Sequence, residues 1–467
     1  MNRRDVLKLG AAATVGAALS GCNRLIASVG RTKPNPALPS GDTSPEVRIL
    51  NRLGFGARPG DIARVAGMGV AAYVEAQLSA TEPEDVRLQL LLSRLDILRM
   101  DGEELQDLPR PEMVRQLQQA ALLRAVYGKN QLQERLADFW INHFNVYALK
   151  SEGPYRLATD TGDVVRKNAL GKFPDMVRAS AHSPAMLGYL DNTVNKSGVA
   201  NENYARELME LHTLGVHGGY TQQDVMEVAR CFTGWTVETG FLKPRGKFRF
   251  DPDAHDQGAK KVLGHTIPAS GGQQDGDRVL TILVEHPSTA RFISTKLCHE
   301  FLGHEDPGWI DRMSQTYLAT GGDIREMLRP LLQSEDLLKA PPISKRPLDF
   351  VASSLRALDA ETDCGKPVVE HLANMGQGLY LWPMPDGYPT KPTAWSGSML
   401  GRWNFAYDLS SSRLPGTQVD LKTLGHPVEM VYGRRPSRHD LVSHLIANRD
   451  QAEAFALCLA SPEFQWR

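Results

Sequence analysis

Residues 201–235 read NENYARELMELHTLGVHGGYTQQDVMEVARCFTGW, and two helical periods are written into them. Asn201 is a good N-cap for a first helix, whose apolar positions Tyr204, Leu208 and Leu211 recur at helical spacing up to Gly215. The Gly-rich turn 215–219 breaks that period. Thr221 then supplies a second N-cap, with Asp224 three residues on in a capping box that uses Asp where Glu or Gln is usual. Val225, Val228, Ala229 and Phe232 make one apolar face, and Thr233-Gly234-Trp235 ends it. Polar, ionisable and aromatic residues are denser here than elsewhere in the chain, so a site is to be sought here first.

The helical period extends outward from this stretch. Ser44-Pro45 opens a helix with an N-cap and a Pro at the first position, Val47, Leu50 and Leu53 face the core, and Gly54-Phe55-Gly56 stops it. Further helices are expected over 59–78, 86–100, 111–126, 132–149, 164–180 and 184–189. In 132–149, Leu132, Leu136, Phe139, Trp140, His143 and Phe144 line one wide face. After Trp235 the composition turns to Gly, Pro and Asp, and β-like runs at 247–250 and 261–263 predict hairpins and loops. Helices resume over 278–286, 289–301, 309–320, 324–333, 347–358, 398–407, 438–447 and 451–459, around a Pro- and aromatic-rich loop at 380–395. The expected class is mainly α. It is a large multi-helix globular domain over 44–467, with a small β-hairpin/loop insertion near 236–277.

The chain has 467 residues, 42% of them apolar and 23% charged, which is the balance of a globular protein with ample core. A formal net charge of −1 gives no global reason to bind nucleic acid. The first residues read as an address. Asn2-Arg3-Arg4-Asp5-Val6-Leu7-Lys8 is similar to a twin-arginine export signal, and the apolar run 9–19 falls far short of the roughly 20 residues that span a bilayer. Leu19-Ser20-Gly21-Cys22 follows in the position of a lipobox. Cys22 is therefore expected to carry the lipid, after a signal peptide over 1–21. A Pro-rich tether over 22–43 then lifts the domain off the membrane. The alternative is ordinary signal-peptidase cleavage with Cys22 left as a free thiol. The other cysteines, Cys231, Cys298, Cys364 and Cys458, are widely separated, with no CxxC for a thiolate zinc site and no CxxCH for a c-type haem.

Ordered short motifs carry a family resemblance. They are Arg52-Leu-Gly-Phe-Gly56, Phe139-Trp-Ile-Asn-His143, Asn203-Tyr-Ala-Arg-Glu-Leu-Met-Glu-Leu211, Phe232-Thr-Gly-Trp235, the run 250–260, and His286-Pro287 with Ala290-Arg-Phe-Ile293. Lys345-Arg-Pro347, Gly376-Gln377, Gly387-Tyr-Pro389 and Ser461-Pro-Glu-Phe464 complete them. On these motifs the chain resembles, over nearly its whole mature length, the bacterial exported family called domain of unknown function 1800. The resemblance implies a helical, exported protein, often accompanied by a second exported family related to alkaline phosphatases and sulfatases. It brings no activity and no catalytic residues.

Candidate sites therefore come from the residues. Glu207 and Glu210 are neighbours on one helix, with Arg206 one turn before Glu210. They can hold a divalent metal, or act as a general base beside an anion-binding Arg206; the alternative is an Arg206–Glu210 ion pair beside a core His212. His143, among aromatic residues, and Asn142 beside it can line a pocket with the Glu207 helix, although a lone His on an apolar face is more often a core residue. Asp251, Asp253 and His255 alternate, so in an extended segment they project to one side as metal ligands; a surface Asp/Pro turn explains them equally. Trp235, Trp382 and Tyr388 are candidate substrate platforms, with packing of the 380–395 loop as the alternative. No G-x-S-x-G, P-loop Lys or HExxH is present. Two functions are open: an exported envelope enzyme with a polar, metal-dependent pocket, and a non-catalytic surface lipoprotein that binds glycan or docks a sulfatase-like partner.

Overall fold

The computed structural model describes residues 43–100, 104–150, 153–238, 246–437 and 441–467. The signal peptide expected over 1–21, Cys22, and all but the last residue of the tether lie outside the described residues. The class is mainly α, with only short two-stranded sheets beside the helices. Ser44 caps the Pro45–Leu53 helix by accepting from Val47 N–H, and Gly54 ends it, as the Ser-Pro and Gly-Phe-Gly signals predict. One hydrophobic core runs from Ile49 to Phe464. Through it passes the 18-residue helix Arg110–Tyr127, and the Pro347–Ala357, Lys366–Asn374 and Val86–Leu92 helices pack against that helix. No helix among the described residues is long and apolar enough to cross a membrane.

The hairpins fall where Gly, Pro and Asp cluster. Trp235–Val237 pairs antiparallel with Phe248–Phe250, and Lys260–Val262 with His265–Ile267. Gly234 makes the corner between the Gln222–Cys231 helix and the first hairpin. Its φ is +80°, and a Cβ there would stand 2.4 Å from the Asp251 carbonyl oxygen, so no other residue fits the turn. A third pair, Glu361–Thr362 with Thr417–Gln418, closes a loop elsewhere.

The opening stretch forms two helices with one irregularity. The capping box of Thr221 and Asp224 is present in both directions. The first helix starts later than its N-cap signal implies. Asn201 accepts from Asn203 N–H at 2.9 Å, and the helix runs from Asn203 to Glu207 before widening to π geometry over Leu208–Thr213. Thr213 Oγ1 donates to the Leu208 carbonyl at 2.7 Å, which satisfies an acceptor that the wider turn would otherwise leave open.

The core also holds charge. Arg135 pairs with Asp349, Arg346 with Asp138, and Arg467 with Glu300 at 2.6 Å, and the members of this cluster are nearly all buried. Cys231, Cys298, Cys364 and Cys458 are buried free thiols.

Candidate functional site

The Gln131–His143 helix ends with His143 turned inward against the Leu208–Thr213 segment. His143 Nε2 lies 3.1 Å from the His212 carbonyl oxygen. A carbonyl only accepts, so Nε2 carries the ring proton and Nδ1 is left as an acceptor. Lys296, from the Pro287–Leu302 helix, donates to it, with Nζ 2.8 Å from Nδ1. Burial, then the Lys296 charge and His212, hold His143 well below the usual imidazole range, so its ring is neutral. Burial pushes the Lys296 amine down to about 8, against a weaker upward pull from Asp386. His212 is pushed down to about 3 by burial and by Lys296, and its Nε2 has no hydrogen-bond partner. Among the described residues Lys296 forms no ion pair.

One carboxylate, Asp386, acts on this amine without pairing with it. Glu207 is partly buried, and its pKa is raised by burial, by Glu210 and by Asp386, against Arg206. Asp386 is exposed on the 382–388 loop and accepts from Trp382 Nε1 at 3.1 Å. That loop is fastened to the end of the His143 helix. Asn142 exchanges two hydrogen bonds with the Tyr388 backbone, at 2.7 and 3.1 Å, and Asn145 donates to the carbonyls of Trp382 and Met384. Tyr189 donates to the Pro383 carbonyl at 2.8 Å. Gly387 allows the approach: its φ is +76°, and a Cβ would stand 2.2 Å from the Asn142 carbonyl oxygen. Gly387→Ala is expected to cost about 1–3 kcal/mol from the left-handed backbone, and more from the contact. A urea titration that shows no loss would contradict the fit.

The predicted residues fare unevenly. His143 and the helix that carries Glu207 and His212 do meet. Arg206 is not free to take an anion: its guanidinium is shared among Glu202 at 3.0 Å, Glu210 at 3.4 Å and Gln222 at 2.8 Å. That is the ion-pair alternative for Arg206 and Glu210. Asn142 is spent on the Tyr388 backbone. Trp235 is fully buried between Phe232, His182 and Phe248, so it cannot touch a substrate. Tyr388 is buried too, with its hydroxyl donating to the Gly378 carbonyl. Trp382 alone of the three keeps an open face.

Asp251, Asp253 and His255 are not brought together as ligands. Pro252–Ala254 is a 3₁₀ turn, which ends the alternation an extended segment would have had. Asp251 accepts from Asp253 N–H and pairs with Arg249 at 3.2 Å. The buried His255 ring points elsewhere, with Nδ1 2.8 Å from the Thr233 carbonyl and Nε2 3.2 Å from Asp275, whose carboxylate also holds Lys260 at 2.6 Å. Among the described residues no group of three His, Cys, Asp or Glu is gathered closely enough to hold a metal ion.

Lys296, Asp386, Asn145 and Tyr189 escaped the sequence reading. Lys296 did leave a signal: it lies three residues past Ile293 and one before Leu297, a lysine on the edge of the apolar stripe of its helix.

A family model described as a protein of unknown function (DUF1800) matches residues 48–466. The chain belongs to this family. No curated protein and no solved structure matches it. Several of the short runs that carry the resemblance, far apart in the chain, end at one place. The runs 139–143, 203–211 and 387–389 supply His143, the Glu207 helix and the clasp on Asn142, and 290–293 precedes Lys296 on its helix.

Proposed function

We propose that this DUF1800 protein is an exported enzyme whose working acid–base group is the Lys296 amine, positioned by His143. The observation that carries this reading is the 2.8 Å contact between Lys296 Nζ and a neutral His143 ring, with no carboxylate paired to the amine. A structural lysine is stabilised by a counter-charge or by water. This one has no counter-charge paired to it among the described residues, only a neutral acceptor, and its burial disfavours the ammonium. An amine that titrates near 8 exchanges protons at neutral pH, and its free form attacks carbonyl carbon. Glu207, with its raised pKa, is the second proton-exchanging group. Asp386, whose field reaches the amine, favours a substrate without net negative charge, and the open face of Trp382 offers it an apolar platform.

Two measurements test the reading. With the lysines dimethylated by ¹³C-formaldehyde, Lys296 is expected to titrate about two units below the surface lysines in the carbon spectrum. Turnover on a panel of uncharged esters, amides and glycosides is expected to fall about 10²–10⁴-fold in Lys296→Met. A Lys296 that titrates with the surface amines, or an unchanged turnover in that variant, refutes the assignment.

Export and lipid anchoring belong to the same reading and are supported by the order of Arg3-Arg4, the apolar run 9–19 and Cys22. Cells fed labelled palmitate are expected to label the full chain and to leave Cys22→Ser unlabelled. Label retained in the Cys22→Ser protein would remove the anchor.

A further inference from the structure

A second polar centre lies beside the Asn142–Asn145 turn and has no part in the chemistry of Lys296. A cavity of about 40 Å³ opens between the Arg110–Tyr127 and Gln131–His143 helices, room for more than one water-sized occupant. Four charged side chains line it: Arg124, Glu134, Asp138 and Arg166. Both carboxylates are committed. Glu134 is held by two nitrogens of Arg166, one of them at 2.8 Å, and Asp138 by Arg346. Arg124 is left over. Among the described residues its guanidinium forms no ion pair and no side-chain hydrogen bond, although it is partly buried and burial lowers its pKa. Glu84, the remaining carboxylate whose field reaches Arg124, does not pair with it and has its own Oε2 unpartnered.

Arg124 thus has no direct partner in the cavity, although Glu134 and Glu84 act on its charge from a distance. A guanidinium does not escape by losing its proton, and one without a direct partner keeps its N–H groups open to a ligand. Its fork of N–H groups matches a carboxylate in shape as well as in sign. The opposite wall is also built at some cost. Tyr380 holds a left-handed backbone, φ +64°, with its carbonyl fixed by Ala148 N–H at 2.9 Å. We propose that this cavity is a binding site for a small carboxylate of the size of formate or acetate, gripped by Arg124.

Sodium formate, with sodium chloride at equal ionic strength as the reference, tests this on the full chain. The expected result is a saturable rise in Tm with formate only, and calorimetry with a stoichiometry near one. Arg124→Met is expected to weaken formate binding at least tenfold, while its Tm in chloride is little changed because Arg124 makes no direct ion pair. Arg124→Lys keeps the charge without the fork, is also expected to bind more weakly, and gives the answer if the Met variant does not fold. Equal effects of formate and chloride would mean that the cavity holds only water or a halide, and would overturn the proposal. Unchanged formate affinity in the Arg124 variants would overturn it as well.

Discussion

Asp349→Asn is expected to destabilise the protein by about 3–5 kcal/mol, read as a lower urea midpoint at pH 7 with an unchanged slope. The residue lies at the centre of the charged core. Its carboxylate pairs with Arg135 and approaches Arg346 Nε at 3.5 Å, and it accepts from Arg346 N–H at 3.0 Å. Burial alone would raise its pKa, but Arg135, Arg346 and Arg467 outweigh burial and hold it far below the usual carboxylate range. Asn keeps the shape and removes the charge, so Arg135, which is wholly buried, loses its close partner and is left with Glu300 at 4.0 Å, a carboxylate already held by Arg467. Removing both charges should cost much less, because a buried pair roughly balances its own desolvation. The double variant Arg135→Met, Asp349→Leu is therefore expected to recover most of the loss. A single substitution that costs under about 1 kcal/mol, or a double that costs the sum of both singles, would show that the pair is screened by water and not buried.

This cluster also marks where the sequence could be read and where it could not. Helix starts were legible because their causes are local. Ser44-Pro45 and Thr221 with Asp224 need only their own next few residues to cap a helix, and both do so in the structure. The hairpins near 236–277 were legible for the same reason. The metal reading of Asp251, Asp253 and His255 failed on a local rule applied to the wrong backbone: alternation needs a strand, and Pro252 starts a 3₁₀ turn. Trp235 failed for another reason. Nothing in an aromatic residue at a helix end says which side of it will be covered, and the first hairpin folds Phe248 onto this one.

Lys296 and Asp386 were illegible as site residues because what defines them is non-local. The proton on His143 is fixed by a carbonyl 69 residues away, and the amine that its other nitrogen accepts is 153 residues away. Periodicity places each of these on a helix face and is silent on which faces meet. The family motifs carried more than periodicity did, since several of them converge at this one contact.

His212 offers a large pH effect. In the unfolded chain it takes a proton as pH falls through 6.5; in the fold it stays neutral until about 3. Between those values the unfolded state binds more protons than the folded one, so stability falls with falling pH by about 1.4 kcal/mol per unit for this residue alone. Over the whole window that is on the order of 4–5 kcal/mol, a large share of the stability of an ordinary domain. Asp160 works in the opposite direction, since burial pushes it up to about 6 and the fold takes a proton first; it is present in both proteins compared and cancels. His212→Phe removes the ring nitrogens and keeps an aromatic ring beside Phe144, whose centroid is 5.1 Å away. Because His212 Nε2 has no partner, the change is expected to be neutral or slightly stabilising at pH 7. Urea unfolding at pH 7, 5.5 and 4 is expected to show the variant gaining on the parent at each step down. Parallel stability curves would mean that His212 is protonated in the fold. The downward pull of the Lys296 charge on His212 and His143 would then have to be reassigned, because it acts on both rings.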